Sequence, residues 1–266
     1  MKYIFLDIDG TILDQNKSYP SLSLKIKHAV KSLRDNGHKV LICSGRHMPL
    51  INNEILEIEY DGFILANGSF VYFNHEIISE DYFTYKQMKH IEDFANKHNF
   101  VYYLEDIIHC YTQSTKSPKH LEFIDNWLIP KCFNDQFILN DIRPNIAMLA
   151  YDKYEQFEMV KHEFEDCFDL AEHHGYHSCD INIKNTNKAY GIKKLVEKLG
   201  INLEDTMAFG DGFNDIEMLQ YVGEGVCMAN GCKELKAIAK YHTTSVSEDG
   251  VYEYLLKKGL IKPYDL

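Results

Sequence analysis

The stretch Tyr3-Ile4-Phe5-Leu6-Asp7-Ile8-Asp9-Gly10-Thr11 starts as an apolar run of strand length and stops at carboxylates. Short apolar runs that end this way read as buried parallel strands feeding a loop. Two later stretches repeat the form. Val40 to Cys43 runs into Ser44-Gly45-Arg46, and Thr206 to Phe209 runs into Gly210-Asp211-Gly212-Phe213-Asn214-Asp215. Ligands of open α/β sheets bind outside the carboxyl ends of such strands. The three clusters, far apart in sequence, are therefore expected to converge on one carboxylate-rich site. That arrangement suits a metal-assisted reaction on an anion.

Outward from the first strand, Leu22, Ile26, Ala29, Val30 and Leu33 recur at helical spacing, with Gly37 placed as the C-terminal stop. Lys39 to Cys43 supplies the next strand. Phe63 to Ala66 reads as a third, closed by the turn dipeptide Asn67-Gly68. Strand, helix, strand in this order implies a parallel sheet.

The middle of the chain changes character. Thr84 and Gln87 form a capping box for a helix that turns Met88, Ile91 and Phe94 inward. Phe100 to Leu104 and Ile107 to Thr112 read as a hairpin about Glu105-Asp106, and Ile146 to Tyr151 as a strand. A further helix is expected to present Phe157, Val160, Phe164 and Phe168. From Lys188 the earlier pattern resumes, with Ile192, Leu195, Val196 and Leu199 on a helix that stops at Gly200. Gly225 to Met228 and Tyr241 to Thr244 read as further short strands. The expected class is α/β, with a doubly wound, Rossmann-like parallel-sheet core at residues 1–79 and 185–266. An α+β domain is inserted at 80–184.

At 266 residues the chain can bury a real core, and 45% hydrophobic with 26% charged residues is ordinary for a globular protein. No apolar stretch is long enough to span a bilayer. Met1-Lys2 runs straight into a strand, which fits no signal-peptide pattern. Seven scattered cysteines without paired metal-ligand spacing read as reduced thiols, and the expected location is cytoplasmic. The net charge of −12 argues against a nucleic-acid surface but not against a small phosphorylated substrate, because a bound metal and local cations can override the global charge inside one cleft. No obligate protein partner is expected.

Asp7 and Asp9 lie two apart at a strand end, and Gly10 lets the backbone turn there. One carboxylate can then face metal and substrate while the other handles a proton. Two carboxylates repel a phosphate, so the site needs cations. Asp211 is the natural further ligand, and an all-oxygen set with substrate phosphate suits Mg²⁺. Lys188 supplies a compact positive charge, and the Ser44 hydroxyl with nearby backbone N–H groups supplies donors.

The order DxDGT, SGR, a lysine at a helix start and GDGxND resembles the haloacid dehalogenase superfamily. The insertion between the second motif and the lysine resembles its Cof-type phosphatases, which carry a large α/β cap. The resemblance implies a Mg²⁺-dependent phosphatase acting on small phosphorylated metabolites, sugar phosphates foremost, through an aspartyl-phosphate. A sugar phosphomutase with the same chemistry is the alternative. By resemblance Asp7 is the nucleophile and Asp9 the general acid/base. Mg²⁺ would sit on Asp7, the backbone carbonyl of Asp9, and Asp211. Thr11, Ser44, Gly45, Lys188, Asn214 and Asn230 would contact phosphate or substrate, with Asp215 and Arg46 in support. The family places a glycine directly after the lysine, whereas Ala189-Tyr190-Gly191 follow here, and Lys184 is the fallback.

An EF-hand fails, because Asp7 and Asp9 at its third and fifth positions would put Phe5 first and Asn16 twelfth. His173, His174 and His177 read as exposed turn residues rather than zinc ligands, and Cys227 and Cys232 as buried thiols. Tyr102, Tyr103 and Tyr111 read as core, with stacking on a sugar as the alternative.

Overall fold

The computed structural model describes residues 1–14, 21–113, 132–173 and 176–264. The chain divides into two compact units: Met1–Gly45, Asn52–Ser79 and Asn187–Leu266 form the first, and Arg46–Ile51 with Glu80–Thr186 the second.

In the first unit β1 (Tyr3–Leu6), β2 (Lys39–Cys43), β3 (Gly62–Leu65), β4 (Phe70–Phe73) and β5 (Glu76–Glu80) follow in chain order. The second unit holds β6 (Val101–Glu105), β7 (Cys110–Tyr111), β8 (Phe133–Asn134), β9 (Ile146–Ala150), β10 (Phe168–Glu172) and β11 (Ser178–Ile183). The chain then returns to the first unit with β12 (Thr206–Gly210), β13 (Glu224–Cys227) and β14 (Tyr241–His242). The first sheet has the order β14-β13-β12-β1-β2-β3-β4-β5. It is parallel from β14 to β3, and β4 turns back antiparallel on β3.

This order is what positions the site. β1 lies between β12 and β2, in register Tyr3 with Thr206 and with Lys39. The residues following all three strands therefore emerge at one carboxyl edge: Asp7, Ser44 and Asp211. The ladder continues one step past β1, where the Asp7 N–H donates to the Phe209 carbonyl at 3.2 Å. Phe5, Leu41, Ile64, Ala208 and Cys227 are fully buried on one face of this sheet, in a single cluster with Ile192 and Leu195. Near-continuous apolar strands are what a sheet covered on both faces demands.

The helices are α1 (Leu24–Asp35), α2 (Asn53–Leu56), α3 (Tyr85–His98), α4 (Gln156–Phe164), α5 (Lys188–Leu199), α6 (Ile216–Tyr221), α7 (Lys233–Ile238) and α8 (Gly250–Lys257). α1 buries Ile26, Ala29, Val30 and Leu33, as their spacing predicts, and Gly37 beyond it has φ +81°. α3 opens with the Thr84/Gln87 capping box. α5 begins at Lys188, with Asn187 accepting the Tyr190 N–H, and ends in left-handed Gly200.

The second unit is α+β. Its sheet runs β10-β11-β9-β6-β7-β8, antiparallel except for β7 beside β8. Two sequence expectations are corrected here. Phe168 is not on the helix with Phe164 but opens β10; the helix stops at Phe164 and the chain reverses through 165–167. The strand expected over Ile107 to Thr112 shrinks to Cys110–Tyr111. The cause is Asp106, whose Oδ1 accepts the N–H groups of Ile108 and His109, both at 2.7 Å, and holds 106–109 in a turn.

Candidate active site

Past β1 the chain winds tightly. The N–H groups of Thr11, Ile12 and Leu13 all turn back to the Ile8 carbonyl. Gly10 sits at φ +77°, and a Cβ there would lie 2.1 Å from Asp211 Oδ2. Only glycine meets both demands, because L side chains avoid that φ and the acid fills the space. The turn buries Asp7 and Thr11 and leaves Asp9 half-buried.

Lys188 reaches into this turn from the start of α5. Its Nζ lies 2.7 Å from Asp7 Oδ1 and 2.6 Å from Asp215 Oδ1, and it is only 1% exposed. The other oxygen of Asp215 accepts the backbone N–H groups of Asp211 and Gly212 at 2.9 and 2.8 Å. Asp215 thus spends both oxygens on structure: one folds the loop after β12, the other orients the lysine. Carboxylate oxygens of Asp7, Asp211 and Asp215 lie within 4.8 Å of one another.

Three acids around one ammonium leave excess negative charge. Burial pushes the Asp7 carboxyl well above its ordinary range; Lys188 opposes this, and Asp215, Asp211 and Asp9 add to it. Asp211 is pushed up to about 7, by burial first and by Asp215 next. Burial disfavours the Lys188 ammonium, yet Asp215 and Asp7 outweigh it and hold its pKa above the ordinary value. Carboxylates crowded in this way are relieved by a further cation. The donor set is all oxygen, and Asp215 is already engaged, so Asp7 and Asp211 are the side chains that fit a hard divalent ion such as Mg²⁺.

Ser44, 1% exposed, donates its N–H to the Ile64 carbonyl at 2.9 Å, which seats it one step beyond β2. Asn230 stitches three segments together. Its Nδ2 donates to the Gly10 carbonyl at 2.8 Å and to Asp211 Oδ2 at 3.1 Å, while its Oδ1 accepts the Val246 N–H. Arg46 falls in the second unit, donating to the Leu50 carbonyl at 2.8 Å. Lys184 also lies there, bound to Asp169 and to the carbonyls of Glu165 and Phe168. Lys188, not Lys184, thus joins the acids. Ala189 stands directly after Lys188, and at Gly191 a Cβ would come within 2.5 Å of Ile64 and 2.9 Å of Gly68. Its absence of side chain lets α5 approach β3.

Tyr102, Tyr103 and Tyr111 are buried in the second unit, and the hydroxyls of Tyr102 and Tyr111 bond Glu92 and Asp106, so they are core. His173 is not an exposed turn residue: it is half-buried, 3.1 Å from Asp180, while His177 is exposed. His174 lies outside the described residues. Asn67, a turn marker in the sequence, has a buried side chain that is part of this site, and its place two residues past β3 was the available signal.

Fold and site define an α/β enzyme whose parallel strands deliver a carboxylate–lysine centre. A family model described as haloacid dehalogenase-like hydrolase matches residues 4–255. A Bacillus subtilis protein named as a candidate phosphatase, YkrA, is 35% identical over 98% of this chain and 99% of its own. The 5-amino-6-(5-phospho-D-ribitylamino)uracil phosphatase YitU of the same organism is 29% identical over 95% of each. A hypothetical protein of Geobacillus kaustophilus HTA426 superposes with a TM-score of 0.87 at 29% identity, over 98% of this chain and 99% of that one. This chain belongs to the haloacid dehalogenase superfamily, in its Cof-type branch, and is a phosphatase.

Proposed function

We propose that the chain hydrolyses small phosphorylated metabolites, sugar phosphates foremost, by a Mg²⁺-dependent route through an aspartyl-phosphate on Asp7. The observation that carries this reading is the buried Lys188 held between Asp7 and Asp215, with Asp211 beside them. Mg²⁺ on Asp7 and Asp211, with the Asp9 carbonyl, would offset charge on the phosphoryl group.

Asp7 attacks phosphorus: its oxygen–phosphorus bond forms as the bond to the leaving oxygen breaks, and Asp9 gives that oxygen its proton. In the second half Asp9 takes a proton from water, whose oxygen bonds phosphorus and releases Asp7. Lys188, pinned by Asp215, keeps Asp7 oriented and adds positive charge where the transition state gains negative charge. Ser44, Thr11 and the Gly45 N–H are the phosphate donors. Asn230 acts by holding Gly10 and Asp211 in place. The second unit, inserted between the second motif and the lysine, is assigned to substrate choice.

The test is phosphate release from a panel of sugar phosphates, nucleotides, 5-amino-6-(5-phospho-D-ribitylamino)uracil and p-nitrophenyl phosphate, with Mg²⁺ or with EDTA. Release that needs Mg²⁺ and vanishes in Asp7→Asn is expected. Full activity in that variant would sink the covalent route. Turnover only in the presence of a sugar bisphosphate would replace the hydrolase by a mutase.

A further inference from the structure

After β3 the backbone does something costly. Ala66 at φ 49° and Asn67 at φ 48° are both left-handed without being glycine, and Gly68 follows at φ 93°. Such a run persists only where its surroundings impose it, and these cluster at functional sites. Asn67 is also 5% exposed, so its amide is a buried polar group.

That amide meets two loops of the site. Its Oδ1 accepts from Asn214 Nδ2 at 3.2 Å. A Cβ built on Gly45 would lie 3.0 Å from Asn67 Oδ1, 3.3 Å from its Nδ2 and 3.4 Å from Asn214 Nδ2. The three residues after β2, β3 and β12 therefore converge on one point, which the Asn67 side chain fills. The main chain joins in, as the Asn67 N–H donates to the Ser44 carbonyl at 3.2 Å.

We infer that Asn67 is a positioning residue for the substrate phosphate, one that sets the amide of Asn214 and seats the Gly45 backbone against it. The inference rests on the proposed role of Ser44 and Gly45 at that phosphate and on the phosphate or substrate contact that the resemblance implies for Asn214. Because Asn67 presents an acceptor, Asn214 must turn its NH₂ toward it, and so the opposite carbonyl end is committed too. The left-handed turn exists to bring this short side chain to Gly45; asparagine tolerates that conformation better than other side-chain-bearing residues.

The experiment compares the full-length wild type with Asn67→Gly, Asn214→Ala and the double variant, using p-nitrophenyl phosphate as substrate. Glycine suits the left-handed backbone, so Asn67→Gly removes the side chain without adding strain. Its Tm is expected to stay within a few degrees of wild type. KM is expected to rise about tenfold while kcat falls less than threefold, the signature of a contact to phosphate made before and during the reaction. The double variant is expected to be no worse than about twofold below the poorer single variant, since the two side chains act as one unit. In parallel, inorganic phosphate with Mg²⁺ should raise the Tm of wild type and raise that of Asn67→Gly much less. An unchanged KM with an unchanged phosphate-linked shift would overturn the inference and leave the phosphatase reading standing. Full additivity in the double variant would also overturn it. A wild type that neither turns over nor responds to phosphate would remove both.

Discussion

At the residue scale the site turns on one buried cation shared by carboxylates. Removing one partner of a buried ion pair strands the others, at a cost of about 3–5 kcal/mol. Lys188→Met should therefore lower stability by that order and reduce kcat by roughly 10²–10³, the loss typical of one electrostatic donor. Urea unfolding and steady-state turnover check both, and a kcat within a few-fold of wild type would remove Lys188 from the reaction. Gly10→Ala tests the close approach of the turn to Asp211. The added Cβ meets Asp211 Oδ2 at 2.1 Å on a backbone of φ +77°, so either the turn or the acid must move. We expect Mg²⁺ affinity to fall at least tenfold with a stability loss of about 1–3 kcal/mol, read by metal titration of Tm. Asp7, Asp211, Asp215 and Lys188 were all legible as residues, because acids and a lysine after apolar strands have few other uses. Their division of labour was not. That Asp215 uses both oxygens on Lys188 and the loop N–H groups is a matter of geometry that spacing does not encode.

At the element scale, apolar strands and amphipathic helices declared themselves where one physical signal dominated. β1, β2, β3 and β12 are short buried runs, and α1, α3 and α5 carry both a 3.6-residue pattern and an end signal. The elements missed by sequence reasoning were mixed in character. β4 and β5 form a strand pair about Asn74-His75, both left-handed without glycine, and β10 and β11 interleave acidic residues with apolar ones. The β10–β11 connection carries a testable charge pair. Burial disfavours protonated His173, but Asp180 outweighs it, aided by Glu105 and Glu172, and holds its pKa above the ordinary 6.5. A raised histidine pKa means stability that is fully present below pH 6.5 and lost as pH climbs through the folded value. Both side chains are about one-fifth exposed, so the contribution is about 1 kcal/mol. The stability gap between wild type and Asp180→Asn should be largest near pH ~6 and shrink by pH ~9. A gap that widens with pH would rule out the charged pair.

At the scale of the whole molecule, two units share one chain, and the first is interrupted twice. Among the described residues no helix is long and apolar enough to cross a membrane. A protein of net charge −12 that gathers three carboxylates in one place gains by binding a divalent cation in the folded state alone. Mg²⁺ at about 100 times its Kd should stabilise by about 2.7 kcal/mol. Scanning calorimetry should show Tm rising with Mg²⁺, falling back with EDTA, and not responding in Asp211→Asn; an equal response in that variant would place the metal elsewhere. The sequence by itself determined the parallel core, the order of its motifs and the identity of the charged residues, since burial and periodicity are local patterns. Only the tertiary structure decided which lysine joins the acids and that Arg46–Ile51 packs with the second unit. It alone shows that a glycine at 191 lets α5 approach β3, and that Asn67 meets Gly45 and Asn214. Each of these depends on distances across strands remote in sequence, and strand order alone brings them together.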